Sequence, residues 1–530
     1  MAMTDLIAQG LANGWQVTDA ASLTDNLTLE TDVVVIGTGA GGGTTAEILA
    51  RAGLSVIMVE EGRLYHQKDF KMDELTSYAT LYQEGLSRVT RDGAIAILQG
   101  RCVGGSTTVN WTSSFDTPDP TLNYWADHFG LEELRPDNLR PWFADRKQRH
   151  NIAPWAVPPN ANNDALRRGC EQLGWSWHVI PRNVKGCWNL GYCGMGCPTN
   201  AKQGALTTTV PGALEHKAQL IHSLRADRLV MDQDRISHLE ATPLQTDSVT
   251  PMPLKVQIRA RHFVVAASAL GSPALLLRSD IPDPHGRIGK RTFLHPVNAT
   301  VGEMPDKVDP FYGAPQSIYS DEFNFSQGVD GPAGFKLEVP PLHPAMASGV
   351  LPGHGEAMGQ DVAKLPWMQS MLALIRDGFH PDSQGGEVSL RDDGSPVLDY
   401  PVTDYLWRGL RDAYLRMAEA QFAAGAKQVR LVHLDSPWYS NWREAEAAIR
   451  DLPMALHRAR LFTAHQMGGC GMGADPQDSV VDGFGQHHQV TNLSVHDASI
   501  FPTSIGANPQ LSVYTLSARN SSRLASKLTR

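Results

Sequence analysis

The sequence predicts an α/β chain, α+β overall, that opens on a Rossmann-like βαβ unit and is long enough to need a second lobe. Three observations carry this. An apolar, β-branched run from Val33 to Ile36 is followed at once by Gly37, Gly39 and Gly42 in G-x-G-x-x-G spacing. A helix-like stretch and a second apolar run come next, and that run stops at an acidic pair. The chain has 530 residues, more than one simple core accommodates.

Each element has its own reason. Val33 to Ile36 reads as a buried parallel strand. The three glycines serve a tight turn, a close approach of backbone to a pyrophosphate, and helix–strand contact. The helix expected over Thr44 to Arg51 aims free N–H groups at phosphate, and Gly53 ends it. The strand Ser55 to Val59 leads into Glu60-Glu61-Gly62, where an acidic residue can accept ribose hydroxyls, and Glu60 is favoured. The unit therefore predicts an ADP-bearing dinucleotide. The flanking strands and the acidic terminus disfavour a glycine turn without a ligand.

Composition narrows the rest. Net charge is -10 and no long Lys/Arg block occurs, so nucleic acid is not an expected partner. The 48 glycines suit a backbone that approaches a ligand at several places. No stretch of about 18 uncharged apolar residues is present, so no transmembrane helix is expected. Met1 to Leu29 lacks a basic start, an apolar block and a twin-Arg pair. The expected compartment is the cytoplasm, with peripheral attachment at the inner membrane as the alternative.

Further small-residue turns punctuate the chain. Gly100 to Asn110 reads GRCVGGSTTVN, and His262 to Pro273 reads as an apolar strand followed by a turn of small residues. His465 to Gly473 reads HQMGGCGMG. Asn492 to Pro502 leads into Gly506-Ala507-Asn508-Pro509-Gln510, and a helix-like segment runs from Leu511 to Leu528.

In this order and spacing the motifs resemble the glucose–methanol–choline (GMC) family of flavoproteins, from about residue 30 to the end. Gly194 to Gly204, Phe335 to Pro344 and Gly506 to Pro509 look like its long-chain (fatty) alcohol oxidase and dehydrogenase branch. The last of these is also similar to cholesterol oxidases. The resemblance implies a GMC, glucose oxidase-like fold: an FAD-binding domain plus a discontinuous substrate domain on a mostly antiparallel sheet. The implied division is 25–115, 185–300 and 455–530 for FAD, 116–184 and 301–454 for substrate, and 1–24 as an N-terminal extension.

It also implies FAD as cofactor. Gly104, Gly105 and Ser106 would pass close to the isoalloxazine ring, with Asn110 beside it and Ala266 at the turn after its strand. Asp497 would reach the pyrophosphate or ribitol. Where some members carry a flavin-linked histidine, this chain has Thr107 and Thr108, which implies non-covalent FAD. The implied reaction is oxidation of a primary or secondary alcohol, apolar or long-chain, by hydride transfer to the flavin. His465 matches the family's histidine and is the expected proton acceptor, since its pKa lies near working pH. Asn508 is the expected positioner, because an amide cannot take the proton. Without the family pattern, His465 would read as a bonded core histidine and Asn508 as a turn residue before Pro509.

Glu338, in an otherwise apolar run, is a second acid–base candidate or else a sheet-edge or salt-bridging glutamate. His295 and His343 read as structural. O2, a quinone or a cytochrome would accept the electrons. A sterol-type oxidase, a GMC-type lyase without net redox chemistry and a non-catalytic flavin protein are the rival readings.

Cys187, Cys193 and Cys197 crowd together before Pro198. Three thiolates so spaced can hold an iron–sulfur cluster, as in some GMC-like dehydrogenases; free thiols are the main reading, and zinc lacks a fourth ligand. Glu387 to Tyr400 predicts a hairpin turning at Asp393-Gly394. Thr403 to Ala424 predicts a long amphipathic helix closed by Gly425. The Met- and Leu-rich stretch 353–384 reads as core or as the lining of a channel. Residues 305–333 read as a loop or lid.

Overall fold

The computed structural model describes residues 5–530. Two large sheets organise it. In the first, five parallel strands run in the order Gln16–Asp19, Gln219–His222, Val56–Val59, Leu27–Ile36 and Val256–Val265. The last forks: its C-terminal end pairs in parallel with Leu493–Val495, and its N-terminal end pairs antiparallel with Arg235–Pro243, which in turn pairs with Leu224–Asp232. Val33 to Ile36 and Phe263 to Val265 are buried on both faces, as their apolar runs require.

The expected extension 1–24 is therefore partly integral, because Gln16–Asp19 is the edge strand of this sheet. Residues 1–4 lie outside the described chain. The helix expected from Thr44 starts earlier, at Ala40. Its first turn is hidden in sequence by glycines that packing demands: a Cβ on Gly41 would lie 1.7 Å from the His496 carbonyl oxygen.

The second sheet is mostly antiparallel, as expected. Its order is Ile95–Ile97, Leu461–Thr463, Val297–Glu303, Met368–Ile375, Phe335–Glu338, Ile318–Ser320 and His178–Val179. Gln428–Leu431 also pairs with Val297–Glu303. The helix Asp404–Ala423, which Thr403 caps, packs across this sheet with Leu410, Ala413, Tyr414 and Met417 buried. The 387–400 hairpin forms as expected, and Gly394 takes φ +77° at its turn.

The expected division into 116–184 and 301–454 does not coincide with the cores. Leu122, Trp125, Leu139 and Phe143, on helices Asp119–Phe129 and Pro136–Arg149, join the core of the first sheet. Conversely, Ile95–Ile97 and Leu461–Thr463 belong to the second sheet. The C-terminal helix, Gln510–Leu528, is buried along most of its length and packs on Ala40–Arg51. The stretch 353–384 resolves into the helix Gly355–Ala363 and the strand Met368–Ile375. Residues 305–333 carry one short strand, Ile318–Ser320.

Candidate active site

A cavity of about 860 Å³ runs between the two sheets. Its lining includes Gly37, Gly39 and Glu60, Ser106, Ala266 and Asp497, and Asn110, Glu338, His465 and Asn508. Motifs spread over most of the sequence thus converge on one cavity.

The dinucleotide turn divides its glycines by task. Gly37 takes φ +99°, and a Cβ there would sit 2.2 Å from the Ala266 carbonyl oxygen. A Cβ on Gly42 would sit 1.9 Å from the Gly37 oxygen. Gly39, the N-cap of the helix, faces open space: its Cβ would meet only the Gly105 Cα, at 3.9 Å. So Gly37 and Gly42 close the fold, whereas Gly39 leaves a cradle that a side chain would fill. Of the sequence-predicted cofactor residues, Gly42 and Gly104 are not on the cavity surface. Gly104 instead donates its N–H to Thr38 Oγ1 at 3.1 Å, which ties the two glycine turns together.

Thr38 also holds Glu60. Its N–H and hydroxyl donate to Glu60 Oε2 at 3.0 and 2.6 Å, and the Gly62 N–H donates to Oε1 at 2.9 Å. Burial pushes the Glu60 carboxyl up to about 7 against these bonds. Glu61 differs. Burial works to raise it as well, but the Arg101 guanidinium 2.9 Å away holds it below the usual range. Oε2 of Glu60 already accepts two bonds, whereas Oε1 accepts one and keeps lone-pair capacity for a ribose hydroxyl.

Asp497 accepts from the Ser268 N–H at 2.9 Å, the Ser272 hydroxyl at 2.5 Å and the Ser499 N–H at 2.8 Å. It fixes the turn after the 256–265 strand, and burial raises its pKa. Ser106 Oγ accepts from the Gly100 N–H at 3.0 Å. Asn110 Nδ2 donates to Gln510 Oε1 at 2.8 Å, which anchors the start of the C-terminal helix. Thr107 and Thr108 spend their hydroxyls on the carbonyls of Gly104 and Val103, at 2.7 and 3.0 Å.

Around Glu338 and Asn508 the polar groups are buried. Glu338 Oε2 accepts from Gln316 Nε2 at 2.7 Å and Asn508 Nδ2 at 3.2 Å. Gln316 is fixed in turn by the Ser113 hydroxyl, which donates to its Oε1 at 2.7 Å. Glu338 Oε1 and Asn508 Oδ1 are buried without any bond. Burial pushes the Glu338 carboxyl up to about 7. The salt-bridge alternative fails, since its polar partners are amides and Lys336 pairs instead with Asp321 at 2.7 Å.

His465 is buried, which lowers its pKa to about 4. Its Nδ1 lies 3.0 Å from His295 Nδ1, and His295 Nε2 accepts from the Gly506 N–H at 3.2 Å. A backbone N–H can only donate, so His295 must carry its proton on Nδ1 and donate to His465 Nδ1. Neutral His465 is then protonated on Nε2. His295, read as structural from sequence, thus sets the tautomer of its neighbour. Gln316 carries no signal in the sequence, and the contact of His295 with His465 carries none either, because side-chain contacts between distant segments leave no periodicity.

Leu372, which pairs with Glu338 across the sheet, forms with Leu374, Val297, Phe462 and Trp111 an apolar surface of the cavity. Leu372 and Leu374 alternate along their strand with Met371, Ala373 and Ile375, which face the core. The three clustered cysteines are free and have separate partners. Cys187 Sγ accepts from the Asn189 N–H at 3.4 Å, Cys193 Sγ from Arg182 at 3.7 Å, and Cys197 Sγ lies 3.4 Å from Thr199 Oγ1. Among the described residues no group of three or more His, Cys, Asp or Glu side chains gathers to hold a metal ion, and no helix is long and apolar enough to cross a membrane.

The two GMC oxidoreductase family models match residues 78–297 and 381–517. A long-chain-alcohol oxidase of Arabidopsis thaliana is 28% identical over 522 residues, covering 94% of this chain and 67% of that protein. An uncharacterized GMC-type oxidoreductase of Mycobacterium tuberculosis is 32% identical over 489 residues, covering 92% and 74%. Among solved structures, pyridoxine 4-oxidase from Mesorbium loti superposes with a TM-score of 0.66 at 19% identity, covering 93% of this chain and 99% of that one. A formate oxidase of Aspergillus oryzae gives 0.69 at 16% identity, covering 96% and 100%.

Proposed function

Because the chain belongs to the GMC oxidoreductase family, we propose that it holds FAD in this cavity and oxidises an apolar alcohol to the aldehyde or ketone, passing the electrons on to an acceptor such as O2. The observation that carries the reading is the pair of bare buried acceptors, Glu338 Oε1 and Asn508 Oδ1, on residues that line the same cavity as His465. Such atoms are costly to bury unless a donor arrives.

FAD when bound accepts a hydride from the carbinol carbon. Gly39 leaves room for its pyrophosphate at the helix N-terminus, and Glu60 is placed for the adenosine ribose. Thr107 and Thr108 are committed to backbone, which supports non-covalent attachment. Acid precipitation of the protein should then release the yellow colour to the supernatant; colour retained in the pellet overturns this point.

The alcohol hydroxyl donates a hydrogen bond to Glu338 Oε1, and His465 Nε2–H donates a hydrogen bond to the alcohol oxygen and keeps its proton. Glu338 takes the hydroxyl proton, held in place through Oε2 by Gln316 and Asn508. This exchanges the roles expected from sequence. Bonding order makes neutral His465 a donor toward the substrate, so the acceptor is Glu338. Asn508 stays a positioner. The apolar wall of Leu372, Leu374, Val297, Phe462 and Trp111 takes the alkyl part, which favours long-chain alcohols over sugars.

The test is anaerobic mixing of the yellow holoenzyme with primary and secondary alcohols of increasing chain length, followed by O2. Bleaching of the flavin band by apolar alcohols, reversed by O2, is expected. A flavin that no alcohol bleaches counts against alcohol oxidation and favours a lyase without net redox chemistry.

A further inference from the structure

Most fully buried cations in this protein sit beside a carboxylate. Arg88 pairs with Glu84, Arg146 with Asp145, Lys336 with Asp321 and Arg519 with Glu133. Lys202 and Arg182 do not: among the described residues neither has an acidic partner, although they are 4% and 1% exposed. Arg376 also lacks one, but it bonds the loop carbonyls of Gly328 and Val329, away from the cavity.

Lys202 and Arg182 hold the same piece of wall. The three ammonium protons of Lys202 go to the carbonyls of Thr108, Asn110 and Cys193, at 2.7, 2.7 and 2.6 Å. Arg182 donates to Thr112 Oγ1 at 2.8 Å and to Cys193 Sγ at 3.7 Å, stacks 4.6 Å over Trp155, and leaves Nη1 unbonded. Val109, Asn110, Trp111, Thr112 and Ser113, together with Gly194 and Met195, line the cavity. Carbonyl dipoles solvate an ammonium but do not cancel its charge, and an uncompensated buried charge is expensive. A site that keeps two of them behind one wall is matched to negative charge arriving on the other side.

The proposed reaction delivers that charge. As the C–H and O–H bonds of the alcohol break and C=O forms, the hydride goes to FAD and the proton to Glu338. The cofactor gains one negative charge. We propose that Lys202, with Arg182 behind it, is a positioning residue that supplies the fixed positive charge against which FAD is reduced, raising its midpoint potential while pinning the 108–113 segment. This rests on the reading that FAD occupies the cavity.

The test is the midpoint potential of the holoenzyme, read by equilibration with a reference dye. Lys202→Met is expected to shift the equilibrium toward oxidised FAD by roughly tenfold, about 30 mV for a two-electron couple. Lys202→Arg keeps the charge and should stay near the wild type. An unchanged potential in Lys202→Met, or an equal fall in Lys202→Arg, overturns the proposal.

The wild type offers a second measurement if Lys202→Met fails to hold FAD. Burial lowers the Lys202 pKa to about 8, so the potential should drop more steeply as pH rises through that value. The charged and titratable groups facing it are Cys193, Cys197, Cys102 and Arg182; burial pushes Cys102 up to about 12. Cys193→Ser and Cys197→Ser should keep the break. Its absence from the wild type, or its loss in either serine variant, overturns the assignment to Lys202. Because a dye, not an alcohol, reduces the flavin, these results stand apart from whether any alcohol is a substrate.

Discussion

Glu338 and His465 illustrate how little of a residue's role is fixed by its type. A histidine in a glycine-rich turn looks like a base, and a glutamate in an apolar strand looks like a liability. In the proposed mechanism the bonds around them give His465 the donor's part and Glu338, the second acid–base candidate, the acceptor's. If Glu338 accepts the proton, Glu338→Gln should slow anaerobic flavin reduction by about 100-fold or more, the scale of a general base. In the wild type that rate should climb as pH rises through about 7, where the buried carboxyl ionises, and the climb should vanish in the glutamine variant. His465→Ala should also be slow but should keep the climb, because it removes a donor and not the acceptor. A pH-independent wild type would sink the role of Glu338. Glu60, Asp497 and Asn508 were legible because each stands at a fixed offset within a local motif. His295, Gln316 and Lys202 were not, because their partners lie 170, 22 and 94 residues away along the chain.

At the scale of elements, the glycine turn separates folding from binding. Gly39→Val adds atoms to open space at φ -67°, a conformation any residue adopts. The variant should fold with an unchanged far-ultraviolet spectrum yet lose FAD affinity by at least about tenfold, a cost of about 1.4 kcal/mol. Gly42→Val drives a side chain into the Gly37 carbonyl and should instead lower the thermal midpoint of the FAD-free protein, by overpacking of about 1–3 kcal/mol. Equal FAD affinity in Gly39→Val and the wild type would remove the pyrophosphate from this cradle. The elements themselves were largely readable. The 387–400 hairpin and the helix Asp404–Ala423 follow their turn and cap residues closely. What sequence missed were the short strands Ile95–Ile97, Gln16–Asp19 and Leu461–Thr463, whose few residues carry no period and which exist only because longer strands lie beside them.

The whole molecule is two sheets threaded by one chain that passes between them repeatedly. Because Ile95–Ile97, His178–Val179 and Leu461–Thr463 complete the second sheet from outside 301–454, that segment alone should not fold. The intact protein should melt in one transition that FAD shifts upward. A separately expressed 301–454 fragment with native-like near-ultraviolet dichroism would contradict this. Stability should also depend on pH through Glu60 and Glu338. Both are held near 7 when folded, above 4.5, so their contribution is present below about 4.5 and is lost as pH rises through about 7. The FAD-free protein should therefore melt lower at about pH 8 than at about pH 5, and Glu338→Gln should narrow the gap. The threading also sets an order in time. Gly39 and Glu60 leave the ribosome early, while His465, Asp497 and Asn508, which line the same cavity, come late. A stretch that stops short of Asn508 lacks part of the lining, so the cavity cannot be closed until Gly39 and Glu60 have been joined by His465, Asp497 and Asn508.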